Sequence, residues 1–253
     1  MNNELPLLAV RGLVKRFGGL LATDHIDFDL RPGEVHAVIG PNGAGKTTFL
    51  SQLAGELKSD TGSITFNGND ITTSSVPERA KAGIGRSYQI SQVFRDMTAL
   101  ENVLLAVQAT EPSSFSFLKS VLADRELVEA ARQSLMLCGL EAREKTAVSS
   151  LAHGEHRQLE LAMTLATRPT VLLLDEPMAG MSQAESIEMI KLIKEIKQHY
   201  AIVLVEHDMD AVFSLADRIS VLVYGRVLVT GAPEEIRENE LVKDAYLGDQ
   251  EEE

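Results

Sequence analysis

The feature that most constrains the fold of this chain is the octapeptide GPNGAGKT at residues 40–47. It follows the apolar run VHAVI (35–39), which is typical of a buried strand, and a helix is predicted to begin near Lys46. The segment matches the pattern G-x-x-x-x-G-K-[ST], in which glycines let the backbone curl until its N–H groups face an anion. The dipole of the following helix favours the same negative charge. The order strand, loop, helix therefore predicts an α/β protein that binds the phosphates of a nucleotide.

The residues of this loop have predicted roles in binding phosphate and Mg²⁺. Lys46 supplies a positive charge for the β- and γ-phosphates, and the Thr47 hydroxyl can join the coordination shell of Mg²⁺. The candidate nucleotide-binding residues of the loop are Gly40, Pro41, Asn42, Gly43, Ala44, Gly45, Lys46, Thr47 and Thr48.

Two later apolar runs end in residues that suit the same chemistry. In VLLLDEP (171–177), Asp175 can hold Mg²⁺ and Glu176 can orient or deprotonate an attacking water. A turn that merely ends a strand explains this segment equally well when it is taken alone. AIVLVEH (201–207) ends at His207, which either senses the γ-phosphate or has a structural role.

Composition narrows the class of protein. The 253 residues are 44% hydrophobic and 24% charged, which suits one large α/β domain or a core with a subdomain. A net charge of −13 disfavours nucleic acid and bare anionic lipid as ligands. No apolar run approaches the roughly 20 residues of a membrane span, and MNNELPLLAV lacks the parts of a signal peptide, so a cytosolic location is expected. The single cysteine, Cys138, lies in a helical apolar pattern and is predicted to be a core residue.

The pattern of strands and helices divides the chain. The first 70 residues favour strands with turns, residues 77–168 are predicted to be mostly helical, and strands and helices alternate again from residue 171. This pattern predicts a nucleotide-binding α/β core with a helical insertion. Within a single domain, 1–253, the predicted parts are 1–89 and 166–253 for the core and 90–165 for the helical subdomain.

Taken together, the phosphate loop, VLLLDE, His207 and the intervening RQLELAMTLATRP resemble the ATP-binding subunit of ABC transporters. The resemblance covers essentially the whole chain and is sharpest to ATPases of the branched-chain amino acid uptake class. It implies a P-loop NTPase core with an antiparallel β subdomain and a helical insertion, and ATP with Mg²⁺ as ligands. The stretches that carry it are KRFGGLLA (15–22), RPGEVHAVIGPNGAGKTTFL (31–50), LENVLLA (100–106), LLDEPMAGM (173–181), VEHDM (205–209) and YLG (246–248).

The resemblance also implies roles at single positions. Phe17 matches the aromatic residue that stacks on adenine, although a core Phe at a strand end has the same pattern. Gln89, in GRSYQ, matches the glutamine that reaches Mg²⁺ and the attacking water, whereas a loop Gln on its own is ordinarily solvated. Asp175, Glu176 and His207 match the metal, general-base and switch positions.

The signature of the family, Leu-Ser-Gly-Gly-Gln, corresponds here to Leu151, Ala152, His153, Gly154 and Glu155. In the family this turn faces the γ-phosphate held by the other subunit of a head-to-tail dimer. Ala152 lacks the serine hydroxyl that donates to the phosphate, and the loss of that hydrogen bond costs roughly 1.5–3 kcal/mol of binding free energy. The Gly154 N–H and the helix dipole remain to bind the phosphate. His153 either donates to phosphate or faces solvent, and Glu155 is expected to turn aside.

A second departure from the family lies after the acid pair. The loop there usually ends in Asp or Asn, and this chain has Ser182. The segment Ser182-Gln183-Ala184-Glu185 is a capping box, so a helix start is predicted. Ser182 does not supply the acidic side chain with which the family residue would contact the other subunit.

The resemblance implies the ATP-hydrolysing subunit of an importer, for branched-chain or related amino acids, on the cytoplasmic face of the inner membrane. The implied partners are a second ATPase subunit, identical or different, two membrane permease subunits and, indirectly, a periplasmic solute-binding protein. An exporter of lipid or polysaccharide uses similar ATPases and remains an alternative. A soluble ABC ATPase of DNA repair or translation is another, but those usually carry a long coiled coil or two cassettes, which this sequence lacks.

Overall fold

The computed structural model of the protein describes residues 6–87, 93–110 and 124–247. Its strands are β1 (Leu8–Phe17), β2 (Leu20–Leu30), β3 (Val35–Ile39), β4 (Thr61–Phe66), β5 (Asn69–Asp70), β6 (Ile84–Arg86), β7 (Val171–Asp175), β8 (Ala201–Val205), β9 (Arg218–Val223) and β10 (Arg226–Gly231). Its α-helices are α1 (Lys46–Ala54), α2 (Val76–Ala82), α3 (Ala99–Thr110), α4 (Arg125–Leu137), α5 (His153–Ala166), α6 (Gln183–Ile196), α7 (Met209–Leu215), α8 (Pro233–Glu238) and α9 (Glu240–Leu247). Gln89 lies outside the described residues.

The strands form two sheets in the described part of the chain. The N-terminal strands make an antiparallel sheet in the order β2-β1-β4-β5, which confirms the predicted antiparallel subdomain. The second sheet has the order β10-β9-β3-β8-β7-β6 and is parallel except for the β9–β10 pair. Because β3, β7 and β8 are parallel neighbours, their carboxyl ends meet at one edge, where α/β proteins usually bind ligands.

Both faces of the parallel sheet are covered, since successive side chains of a strand point to opposite faces. Val38, Leu173 and Val203 belong to the apolar cluster shared with α1 and the antiparallel sheet. Ala37 and Leu204 belong to the other cluster, shared with α3 to α7. The run of buried residues in each central strand therefore reflects a sheet that is packed on two sides.

The helical part begins where its capping signal predicts. The Thr98 N–H donates to Glu101 Oε2 at 2.7 Å, and the Glu101 N–H donates back to Thr98 Oγ1 at 3.2 Å. Cys138 caps the end of α4 and is 1% exposed, which confirms that it is a core residue. Gly139 follows with φ of 70°, as expected of a glycine that ends a helix.

One strand interrupts the segment predicted to be mostly helical. Residues 84–86 form β6, which pairs in parallel with β7 through Ile84 and Val171. Three residues are too short to show a periodicity, so this edge strand is set by pairing with β7 rather than by local pattern. Among the described residues, no helix is both long and apolar enough to cross a membrane.

Candidate active site

The phosphate loop joins the buried strand β3 to the first residue of α1, Lys46. Gly40, Gly43 and Gly45 all have positive φ, at 151°, 77° and 101°. A Cβ on Gly40 would lie 2.0 Å from the Leu222 carbonyl oxygen, and one on Gly45 would lie 2.1 Å from that of Ala22. Both positions therefore require glycine, for backbone conformation and for space.

The side chain of Lys46 is folded over this loop. It is 9% exposed, and its Nζ donates to the carbonyl oxygens of Gly40 at 2.6 Å and Pro41 at 2.9 Å. The ammonium is thereby held within the curled backbone. Thr47 is exposed and Thr48 is half-buried at the start of the same helix.

Asp175 is the last residue of β7 and is 3% exposed. Its Oδ2 accepts from Arg86 Nη2 at 2.9 Å, whereas its Oδ1 is buried with no hydrogen-bond partner among the described residues. Burial raises the pKa of this carboxyl, and the Arg86 guanidinium acts in the opposite direction. The carboxylate therefore has one oxygen held by an arginine and one left for a further ligand.

Arg86 is the residue of this site that sequence reasoning missed. Its Nη1 donates to Ser51 Oγ at 2.9 Å and to Glu56 Oε2 at 2.6 Å, so the guanidinium ties Asp175 to α1 and to the residues that follow it. The available signal was a charged residue at the end of the short apolar run IGR (84–86).

Glu176 and His207 lie beside each other at the ends of β7 and β8. The distance from His207 Nδ1 to Glu176 Oε1 is 4.0 Å, and the two side chains are 65% and 30% exposed. The Glu176 N–H donates to the Val205 carbonyl oxygen at 2.8 Å. The structure thus brings together two residues that are 31 positions apart and places both in contact with solvent.

Phe17 ends β1 and pairs in register with Leu20 across the turn to β2. Its side chain is 48% exposed, so it is not a core residue, and Lys15 Nζ lies 5.7 Å from the ring centroid. The exposed ring has a free surface on which a planar group can stack.

The signature slot forms the start of α5, with Ala152 as the N-cap residue. Glu155 accepts from the Ala152 N–H at 2.9 Å and from Arg143 Nε at 2.7 Å, and it is thereby fixed at the helix end. His153 is exposed, and Leu151 is buried.

Gly154 differs from the open amide that the sequence led us to expect. Its N–H donates to Glu185 Oε1 at 3.0 Å. The other oxygen of Glu185 accepts from the Ser182 N–H at 2.9 Å and from Ser182 Oγ at 2.7 Å, which confirms the predicted capping box of α6. Glu185 therefore links the starts of α5 and α6.

Comparisons with known proteins identify relatives of this chain. Residues 23–179 match the model of the ABC transporter family, and residues 226–252 match that of the branched-chain amino acid ATP-binding cassette transporter. The chain is 41% identical to the high-affinity branched-chain amino acid transport ATP-binding protein LivG of Salmonella typhimurium, over 96% of this chain and 98% of that protein. It is 37% identical to the corresponding protein BraF of Pseudomonas aeruginosa, over 96% and 98% of the two chains.

A solved structure shows the same architecture. The ADP conformation of MJ1267, an ATP-binding cassette of an ABC transporter, superposes with a TM-score of 0.86 at 27% identity, over 97% of this chain and all of that one. The phosphate loop, the acidic end of β7 and His207 thus lie in a fold known to hold a nucleotide. The chain belongs to the ABC transporter family, as one of its ATP-binding cassette ATPases.

Proposed function

We propose that this chain is the ATP-hydrolysing subunit of an importer for branched-chain amino acids. The observation that carries the proposal is the match of the C-terminal segment 226–252 to the branched-chain amino acid ATP-binding cassette transporter, in a chain whose residues 23–179 match the ABC transporter family. The near full-length similarity to LivG and BraF supports it over export of lipid or polysaccharide and over a soluble ABC ATPase.

The phosphate loop is proposed to bind the β- and γ-phosphates of ATP. The Lys46 ammonium already lies against the carbonyl oxygens of Gly40 and Pro41, where a phosphate oxygen can replace them as acceptor. Phe17 supplies a ring for the adenine, which gives affinity with little discrimination between bases.

The acidic end of β7 fits Mg²⁺. Asp175 Oδ1 is a buried carboxylate oxygen without a hydrogen-bond partner in the described residues, and oxygen is the ligand that Mg²⁺ prefers. Asp175 and Thr47 would hold the ion, together with Gln89 of the undescribed segment 88–92. When bound, Mg²⁺ neutralises charge on the phosphates. Arg86 keeps the other oxygen of Asp175 occupied, which orients the carboxylate.

Glu176 is proposed to take the proton from the attacking water, because a carboxylate within hydrogen-bond reach of that water can act as general base. His207 lies 4.0 Å from it and is exposed, so it can contact the γ-phosphate at the same edge of the sheet. Both side chains reach solvent at the ends of neighbouring strands, as this chemistry requires.

Two such sites are proposed to form between two ATPase subunits, arranged head to tail. Within one chain, Leu151 to Glu155 lie at the start of α5, on the helical part. In the proposed dimer this turn covers the phosphates bound by the partner subunit, through the helix N-terminus rather than through a serine hydroxyl.

The permease subunits are proposed to dock in a groove between the core and the helical part. The groove has a volume of about 240 Å³ and is mostly apolar. Arg86 and Val93, which flank residues 87–92 in sequence, both line it, as do Ala106 of α3 and Met163 of α5. A permease segment seated there would connect the nucleotide site to the membrane subunits, and the solute-binding protein would act through those subunits.

The experiment is an uptake assay in cells that lack this chain. We expect wild-type protein to restore energy-dependent uptake of labelled leucine, and the variants Lys46→Ala and Glu176→Gln to fail. Exposed Lys58 provides the matched control, since Lys58→Ala leaves the phosphate loop intact. Uptake of leucine, isoleucine and valine that does not depend on the chain would contradict the proposal.

A further inference from the structure

Glu206 is a buried carboxylate that the roles above do not use. It follows β8, immediately precedes His207 and is 1% exposed. Its Oε1 accepts from the Met178 N–H at 3.0 Å. Its Oε2 accepts from the His207 N–H at 3.0 Å and from the Asp208 N–H at 3.5 Å. One side chain thus connects the loop after Glu176 to the loop that carries His207.

Three backbone N–H groups are aimed at the two oxygens of Glu206, so both oxygens act as acceptors. Burial raises its pKa, and the three backbone N–H groups and the nearby His207 ring act in the opposite direction. His207 Nδ1 lies 3.8 Å from Oε2. An ionised carboxylate is acceptor-only on both oxygens, which fits an environment of backbone donors.

The loop fixed by Glu206 contains a strained residue. Glu176 has φ of 47°, in the left-handed region that a non-glycine residue rarely adopts. On one side, its own N–H donates to the Val205 carbonyl oxygen at 2.8 Å. On the other, Met178 donates to Glu206. Glu176 therefore lies between two hydrogen bonds to the end of β8. One is accepted by the Val205 carbonyl oxygen, and the other by the Glu206 side chain.

We propose that Glu206 is a positioning residue for ATP hydrolysis, which holds the backbone of Glu176 and that of His207 in register with each other. The inference rests on the proposed role of Glu176 as general base. Glu206 acts without touching the nucleotide: it fixes the segments that carry Glu176 and His207, by accepting the Met178 N–H on one oxygen and the His207 and Asp208 N–H groups on the other.

The variant Glu206→Gln tests this arrangement, because glutamine has the same size and only one acceptor oxygen. Its NH₂ group must face either the Met178 N–H or the His207 N–H, so one of the two segments is released. We expect kcat to fall about tenfold to a hundredfold, as a displacement near 1 Å does at an active site. The dissociation constant for ATP is expected to change less than about twofold, since the phosphate loop is untouched.

Two further readouts separate positioning from general stability. Glu206→Gln is expected to accumulate an ATP-bound dimer, because binding and closure persist while hydrolysis slows. Its amide oxygen satisfies more donors when it faces His207 and Asp208 than when it faces Met178, so the Met178 amide hydrogen is expected to exchange faster. Glu34 is the matched control: it is 7% exposed and accepts the Arg31 N–H at 2.8 Å, at the start of β3. Glu34→Gln should keep its turnover and its exchange at Met178.

The outcomes are distinct. Normal turnover in Glu206→Gln, or a parallel loss of ATP affinity, dimer and kcat, overturns the positioning role. Normal turnover in Glu176→Gln overturns the general-base assignment instead. If Glu206→Gln does not fold, Glu206→Asp is measured: it keeps the charge but shortens the reach by one methylene, and the same separation of kcat from ATP affinity is expected.

Discussion

Glu185 Oε1 accepts the backbone N–H of Gly154 at 3.0 Å, so the amide expected to face the phosphate of a second subunit is already bonded within its own chain. A Cβ on Gly154 would lie 2.7 Å from the same oxygen, so a larger residue there would displace the Glu185 side chain. The carboxylate occupies the helix N-terminus that an anion would otherwise use. The arrangement predicts a competition between Glu185 and the partner's phosphate.

Removal of the Glu185 charge should relieve this competition. Glutamine has one acceptor oxygen where glutamate has two, so Glu185→Gln keeps the capping box with Ser182 only by turning its NH₂ group toward the Gly154 N–H and releasing that amide. A hydrogen bond to a charged group contributes about 1.5 kcal/mol or more, so we expect an ATP-dependent dimer at least about tenfold tighter in the Glu176→Gln background. Sedimentation at graded protein concentration measures this. Glu188→Gln, at an exposed position of the same helix, is the control, and equal dimer affinity in all three proteins would exclude the competition.

A serine at position 152 should affect both the stability of the chain and its ATP-dependent dimerisation. Ala152 has the extended backbone of an N-cap residue, and Glu155 already accepts its N–H. Ala152→Ser completes the capping box and is expected to stabilise the chain by about 1 kcal/mol without nucleotide. It should also tighten the ATP-dependent dimer if the hydroxyl faces phosphate. Thermal unfolding and dimer affinity measure the two effects, and stabilisation without a tighter dimer would mean that residue 152 does not face the partner's ATP.

Loss of Arg86 should make stability depend on pH. Arg86→Met leaves Asp175 buried without its cation, which costs about 3 kcal/mol of unfolding free energy at neutral pH. Burial already raises the pKa of Asp175, and removal of Arg86 raises it further. A carboxyl with a raised pKa destabilises the fold at pH values above its unfolded pKa, so the loss should shrink as pH falls and Asp175 protonates.

Urea unfolding at about pH 5 and about pH 7.5 checks the direction of this change, since the protonated fraction of a carboxyl rises as the pH falls. Arg132→Met removes a half-exposed arginine that pairs with Glu144 and should cost at most about 1 kcal/mol at either pH. A loss for Arg86→Met that is the same at both pH values would contradict a role in holding Asp175 ionised.

Phe17 should contribute to nucleotide affinity through its exposed ring. Phe17→Ala is expected to weaken ATP binding about three- to tenfold, whereas Phe17→Tyr keeps an aromatic face and should bind nearly normally. Titration with a fluorescent ATP analogue measures the dissociation constants. Phe94, which is 57% exposed, provides the control substitution Phe94→Ala. Equal affinity of wild type and Phe17→Ala would place the adenine elsewhere.

The sequence by itself determined the local parts of this molecule. The phosphate loop is contiguous, so glycine spacing and the flanking strand and helix suffice to predict it, and α1 begins at Lys46 as expected. The capping boxes at Thr98 and Ser182 could be predicted because each lies within four consecutive residues. Asp175 and His207 could be singled out because each ends, or lies just beyond, a run of buried residues.

The tertiary structure alone decided which groups these residues meet. Arg86 reaches Asp175 across 89 positions, and Glu185 reaches Gly154 across 31. Such pairs depend on the order of strands in the sheet and on the approach of two helix starts, neither of which leaves a local pattern. Glu206 looks like one more polar residue at a strand end until the fold buries it between the two loops. Periodicity shows which residues are buried, but the hydrogen bonds that a buried charge must find come from distant segments, and only the assembled fold brings those segments within reach.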